Sequence, residues 1–293
     1  KVEAKEKEFQ RWMGGEAREL QIGDDTLQMS EEQRQWYQRV LFAFKDVIAE
    51  NPKKPKLLKG ICHRIVFDEG KDCTPWQEYV RRGSPGEEEI KAAELLAMIE
   101  NDIVEPCNSE WANNVVMVKK ADGSPRLCID FRRLNQITKP DPYPLARIDD
   151  ALDTLGNAKV YSALDCAASF WSCPMAEEDK DKTAFVTRQF GQLRFKRMPF
   201  GLRNSTATYS RALGHVLRGL VWVSVVQYVD DCAIMGEDHE DQLENLHQVL
   251  TRFAIHGVSL KLSKCQFGVG KLEYLGHVMV AGQGVKMNPK TVE

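Results

Sequence analysis

The sequence predicts an α+β fold carried on an antiparallel sheet, for three reasons. Two stretches read as hairpins: 115–119 returns through Ala121-Asp122-Gly123-Ser124 to 126–131, and 221–229 returns through Asp230-Asp231 to 232–235. Helical stretches stand beside these hairpins without the strict strand–helix alternation of a doubly wound parallel sheet. The 293 residues are 43% hydrophobic and 28% charged, which suits a folded chain of about two compact units and excludes a collagen-like or wholly disordered one.

In chain order, Ser30 with Gln33 forms a capping box. Trp36, Tyr37, Val40, Leu41, Phe44, Val47 and Ile48 then recur at helical spacing until Asn51-Pro52 ends the run. Residues 51–86 are rich in Lys, Pro and Gly, as expected of a linker or wrapping arm, so 1–86 reads as an extension with one amphipathic helix. Ser84, Pro85 and Glu87 open a second helix, whose apolar positions Ile90, Ala93, Leu96 and Ile99 carry it to about Asn101. Residues 160–164 make an apolar strand that ends on Asp165. A helix over 205–220 precedes the strand 221–229, and another over 239–256 stops at Gly257. The stretch 258–280 reads as strands interrupted by Gly268, Gly270 and Gly276.

The net charge of −3, from 40 basic and 43 acidic residues, argues against a surface that attracts phosphate everywhere. Nucleic-acid contact would have to come from local clusters. Three exist: Lys53, Lys54, Lys56 and Lys59; Lys119, Lys120, Arg126, Arg132 and Arg133; and Arg188, Arg194, Lys196, Arg197 and Arg203. No apolar run approaches the roughly 18 residues of a membrane helix. The cysteines are scattered without a Cys-x-x-Cys pair, which favours reduced thiols, an intracellular setting and no structural zinc.

The chemistry concentrates at Tyr228-Val229-Asp230-Asp231, two adjacent carboxylates at the tip of a hairpin with apolar flanks. Carboxylates against low-dielectric walls either take up protons or find a cation. Oxygen-only ligands select Mg²⁺ or Mn²⁺ over zinc. Asp165 also ends an apolar strand. If the two strands are neighbours, Asp165, Asp230 and Asp231 can hold two ions roughly 3.5–4 Å apart, the arrangement that serves phosphoryl transfer.

Residues 84–292 resemble the reverse transcriptases of gypsy-type LTR retrotransposons and, more distantly, those of retroviruses. The resemblance rests on ordered motifs. They are Val115-Val116-Met117-Val118-Lys119-Lys120 with Asp122-Gly123-Ser124; Arg126-Leu127-Cys128-Ile129-Asp130-Phe131-Arg132-Arg133-Leu134-Asn135; and Tyr143-Pro144 with Arg147-Ile148-Asp149-Asp150. Tyr161-Ser162-Ala163-Leu164-Asp165, Lys182-Thr183-Ala184-Phe185, Met198-Pro199-Phe200-Gly201-Leu202, Tyr228-Val229-Asp230-Asp231 and Tyr274-Leu275-Gly276-His277 follow. Pro125, Cys166-Ala167-Ala168-Ser169 and Ser205-Thr206 depart from the family pattern without touching an acidic position.

The resemblance implies a right-hand polymerase. Its fingers would comprise 87–139 and 173–204, its palm 140–172 and 205–285, and its thumb would begin at 286–293 or be missing. Asp165, Asp230 and Asp231 would bind two Mg²⁺ (or Mn²⁺) ions, and Tyr228 and Val229 would face the primer end and the incoming nucleotide. Lys119 and Arg126 correspond to the pair that grips the triphosphate. Phe170 corresponds to the aromatic gate that selects deoxyribose, and Phe200 and Gly201 to the floor beneath nucleotide and template. Leu275, Gly276 and His277 correspond to the primer-holding hairpin. The implied partners are an RNA or DNA template with primer and dNTPs, with no membrane. Protease, RNase H and integrase domains of a Pol polyprotein, or a host assembly, are further implied partners. A second reading stays open, in which a captured retroelement fragment without catalysis serves as a structural or nucleic-acid-binding subunit. An RNA-templated RNA polymerase is a third, and Phe170 opposes it.

Overall fold

The computed structural model describes residues 2–15, 17, 18, 20–80, 83–119, 123 and 125–287. Lys120, Asp122, Ser124 and all of 286–293 beyond its first two residues, named above, lie outside that set. The chain divides into two compact units, one holding 1–56, 144–167 and 210–293 and the other 57–143 and 168–209.

The first unit is built on a five-stranded sheet in the order Gln21–Ile22, Gln266–Val269, Val160–Asp165, Asp231–Gly236, Val225–Tyr228. All neighbours are antiparallel except the first pair. Its central strands are nearly continuous apolar runs because both faces are covered. On one face, Tyr161, Ala233 and Met235 form a core with Ala151, Leu152 and Leu155 of the helix Ile148–Leu155 and with Leu272 and Tyr274 of the strand Lys271–Tyr274. On the other lies the helix His239–His256, capped by Asp238, whose carboxylate accepts from the amides of Glu240 and Asp241, and ended by Gly257 at φ 81°. Its Leu246, Val249, Leu250 and Phe253 are buried at helical spacing. Gln242 sits at the centre of a buried polar network. Its side-chain oxygen accepts from the Tyr37 hydroxyl at 2.8 Å, and its side-chain amide donates to the Ser162 hydroxyl.

The second unit contains the hairpin Asn114–Lys119 with Pro125–Asp130 and a three-stranded antiparallel sheet, Val104–Pro106, Gly191–Phe195 and Phe185–Thr187. The helix Pro85–Glu100 starts at a capping box, Ser84 with Glu87, and has Pro85 in its first turn. Single bridges tie residues 57–80 to this unit: His63 to Met175, Phe67 to Thr138 and Gln77 to Ala112. His63 is 1% exposed, and its Nδ1 lies 2.9 Å from the Thr208 hydroxyl. Burial pushes its imidazole down to about 4, against the opposing pull of Asp179 and Asp141. The stability contributed by a histidine held neutral in this way is complete above the unfolded value near 6.5. It is lost as pH falls from there towards 4. The expected loss at pH 5 relative to pH 7 is about 2 kcal/mol, read as a shift in urea midpoint that a His63→Gln variant lacks.

The capping boxes, the Asn114–Lys119 hairpin, the strand ending on Asp165 and the helix His239–His256 stand where the sequence places them. Several expectations need correction. Residues 1–56 belong to the first unit and 57–86 to the second. They also carry a second helix, Val2–Gly14, whose Phe9 and Trp12 pack on Phe42 at 5.3 and 5.6 Å; two aromatics in a charged segment make too narrow a stripe to recognise. The strand over 221–229 shrinks to Val225–Tyr228 because turns occupy the preceding residues, with Trp222 at φ 68°. For the same reason the helix over 205–220 ends at Val216.

Candidate active site

The hairpin joining Val225–Tyr228 to Asp231–Gly236 closes at the pair Tyr228 and Asp231, leaving Val229 and Asp230 as its turn. Val229 has φ 56°. Glycine is usual at such a position, and holding a β-branched residue there costs roughly 1–3 kcal/mol. The flanks sustain that conformation: Val225, Val226 and Ala233 are fully buried.

Asp231 pairs in register with Asp165, so the two side chains leave the same face of the sheet, the face that carries the pair Ala163–Ala233 two residues along and the pair Tyr161–Met235 four residues along. Asp165 is anchored on its other side as well. Its carbonyl accepts from the Lys261 amide at 2.9 Å, and its amide donates to Cys265 Sγ at 3.4 Å. Its carboxylate pairs with Lys264 Nζ at 3.2 Å. The Asp231 carboxyl is raised above the usual carboxylate range, first by desolvation at the crowded sheet end and then by the charges of Asp230 and Asp165, with Lys264 opposing. Three carboxylates therefore share one field.

The second hairpin named in the sequence lies against the first. Tyr274 pairs with His277 across the turn Leu275-Gly276, whose residues have φ 51° and 76°. The Tyr274 hydroxyl donates to the backbone carbonyl of Asp231 at 3.0 Å. Leu275 and Tyr228 both pack on the core cluster beneath, and His277 Nδ1 lies 3.0 Å from the Leu275 carbonyl.

In the second unit, Arg126 and Lys119 lie on opposite strands of the Asn114–Lys119 hairpin, both exposed. The Arg126 guanidinium lies 4.5 Å from the centre of the Phe200 ring, a cation–π stack. Phe200 meets Phe170 at 5.0 Å, and Phe170 meets Tyr209 at 5.9 Å, so Arg126, Phe200 and Phe170 form one connected group. Ala168, at φ 42°, turns the chain into the short helix Ser169–Ser172 that presents Phe170. Gly201 has φ 88°, and its carbonyl accepts from the Asn135 side chain at 2.8 Å, which ties the segment after Phe200 to the helix Arg132–Ile137.

Sequence reasoning missed two site residues. Lys264 carried no local signal, because its partner Asp165 is remote in the chain. Tyr274 was visible as part of a motif, but its hydrogen bond to Asp231 depends on how two hairpins pack.

The donor set at the sheet end is all oxygen and mutually repelling, which fits Mg²⁺ or Mn²⁺. Among the described residues no three His, Cys, Asp or Glu side chains enclose a metal position by themselves. No helix among the described residues is long and apolar enough to cross a membrane.

An antiparallel sheet backed by helices, with acidic side chains on paired strand ends, defines the palm of a right-hand nucleic-acid polymerase. Residues 118–279 match the family described as reverse transcriptase (RNA-dependent DNA polymerase), and the chain belongs to that family. It is similar to the retrovirus-related Pol polyprotein from transposon 297 of Drosophila melanogaster, 36% identical over 205 residues, covering 68% of this chain and 19% of that protein. The corresponding polyprotein from transposon gypsy of the same organism is 34% identical over 206 residues, covering 68% of this chain and 20% of that one. The chain thus spans about a fifth of the length of these curated relatives. The structure of the foamy viral protease-reverse transcriptase in complex with an RNA/DNA hybrid superposes with a TM-score of 0.79 at 18% identity, covering 91% of this chain and 35% of that one. The shared fold therefore extends well outside residues 118–279.

Proposed function

We propose that this chain extends a primer with deoxynucleotides on an RNA or DNA template. The observation that carries the reading is the register pairing of Asp165 with Asp231 beside the Asp230 turn. Asp165, Asp230 and Asp231 would hold two Mg²⁺ (or Mn²⁺) ions, which when bound favour the ionised primer hydroxyl and offset charge on the departing pyrophosphate. The remaining work falls to the chain itself. The strained Val229 turn keeps Asp230 from swinging out of place, and Tyr228 and Val229 face the primer end and the incoming nucleotide. Tyr274 braces the Asp231 backbone. Leu275, Gly276 and His277 steady the primer strand.

Lys119 and Arg126 bind the triphosphate; stacking on Phe200 pre-orders the Arg126 guanidinium, so less side-chain entropy is lost on binding. Gly201 lets the chain approach nucleotide and template closely. Phe170, wedged by Phe200 and Tyr209, presents a rigid edge to the sugar and excludes a 2′-hydroxyl. The fingers would be 87–139 and 173–204, and the palm 140–172 and 205–285. The chain would act beside other Pol domains, inside a cell; the polyprotein names of its relatives support the first part of that reading.

Primer extension with dNTPs and rNTPs, under Mg²⁺ and under Mn²⁺, tests the reading. Wild type is expected to use dNTPs at least about 100-fold better. Phe170→Ala is expected to close that gap by about tenfold or more, since a steric block of this kind is worth about 1–3 kcal/mol. A wild-type chain that binds primed template yet extends it with neither nucleotide under either metal would favour the non-catalytic subunit instead.

A further inference from the structure

The basic cluster near residues 53–59 has no part in the site described above, yet two of its lysines, Lys54 and Lys56, line a cleft of the first unit. The stretch 45–56 lies beside Leu260 through two backbone bonds, Leu260 amide to Val47 carbonyl at 2.8 Å and Ala49 amide to Leu260 carbonyl at 2.9 Å. Between this stretch and the turn 259–263 opens a cavity of about 670 Å³. Lysines 45, 54, 56 and 261 line it, with Asp46 and Glu50 as the opposing charges. Lys45 is paired with Glu8, whereas Lys54, Lys56 and Lys261 have no carboxylate partner among the described residues. Ammonium groups without a carboxylate partner around an open cleft set up a positive field that an anion would relieve.

Two features decide which anion. No aromatic side chain lines the cleft, so it offers bases nothing to stack on, and its cations are lysines, which act as point charges without the planar fork that reads base edges. One lining residue of the cleft is also tied to the acidic sheet end: the Lys261 amide bonds the Asp165 carbonyl, and Lys264, three residues on, pairs with the Asp165 carboxylate.

We infer that this cleft holds the sugar-phosphate backbone of the nucleic-acid strand being worked on at Asp165, Asp230 and Asp231, without regard to sequence. The inference rests on the polymerase reading and adds a contact made in part by residues N-terminal to the family-matched segment.

Lys54 and Lys261 are the residues to change, because the Lys56 ammonium also donates to the Asp46 carbonyl at 2.6 Å and helps hold the loop. Fluorescence anisotropy of a labelled primed template, titrated at several salt concentrations with the full chain, gives affinity and its salt slope. Lys54→Gln with Lys261→Gln is expected to reduce the slope of log K against log salt by about 1.4–1.8, the release from two phosphates. Affinity should fall about tenfold, equally for templates of different sequence. Glu50→Gln should tighten binding. An unchanged slope in the double variant overturns the inference, even where the same preparation extends primers normally and the polymerase reading stands. A reduced slope in a chain that never extends primers upholds the cleft and removes the polymerase reading. If inorganic pyrophosphate at millimolar concentration stabilises wild type but not the double variant, while the template slope is unchanged, the cleft is a small-anion site and the strand assignment fails.

Discussion

Asp230→Asn is expected to lower primer extension by at least about a thousandfold while leaving the folding free energy within about 1 kcal/mol of wild type or slightly higher. The two halves of this expectation have one cause. Burial first, and then repulsion from Asp230 and Asp165, raises the Asp231 carboxyl, so the three acids oppose one another in the folded chain and are reconciled by cations. Removing one negative charge relieves that repulsion, which favours folding or leaves it unchanged. It also removes an anionic ligand where divalent ions must bind, and the amide of Asn cannot replace the charge. Single-turnover extension rates and urea midpoints measured on the same preparations separate the effects. A variant that extends primers at the wild-type rate would remove the proposed site, and one that is unfolded would contradict the electrostatic account.

The largest loss of stability is expected from Gly236→Ala. A Cβ at Gly236 would lie 2.5 Å from the Gln242 Cβ and 2.6 Å from its Cα and backbone nitrogen. The obstacle is therefore the backbone of the helix His239–His256, and no side-chain rotation can clear it. The sheet and helix must separate by about an ångström, and Gln242 cannot then keep its bonds to Tyr37 and Ser162. Overpacking costs about 1–3 kcal/mol and occasionally more; with a rigid obstacle and a buried network to break, about 3 kcal/mol is expected here. Gly86→Ala is the control. It lies in the first turn of the helix Pro85–Glu100 with no atom within 4 Å of its added Cβ, so it should be neutral or gain up to about 1 kcal/mol. Equal urea midpoints for the two variants would show that the close approach of strand and helix is not what holds this face together.

These two sites differ in how they announce themselves. Asp230 is conspicuous in the chain, because two carboxylates in a tight turn between apolar strands are a local contradiction that asks for a cation. Gly236 is one small residue after a run of apolar ones, and nothing beside it in the chain marks it as the place where a helix touches a strand. The basic group at Arg126 lies between these extremes. Its charge was legible, whereas its stack on Phe200 joins residues on separate segments.

What the sequence determined by itself is therefore local. Ser30 with Gln33 and Ser84 with Glu87 set two helix starts, Gly257 ends a third, and Asp230-Asp231 marks the acidic turn, because each is decided by backbone hydrogen bonding and charge within a few residues. Tertiary structure alone decided that Asp165 faces Asp231, that Lys264 reaches Asp165 and that Tyr274 reaches the Asp231 carbonyl. It also decided that the two-residue strand Gln21–Ile22 joins the sheet at all. Strand register is settled by burial of whole faces and by segments that meet from distant parts of the chain, and no window of neighbouring residues contains that information.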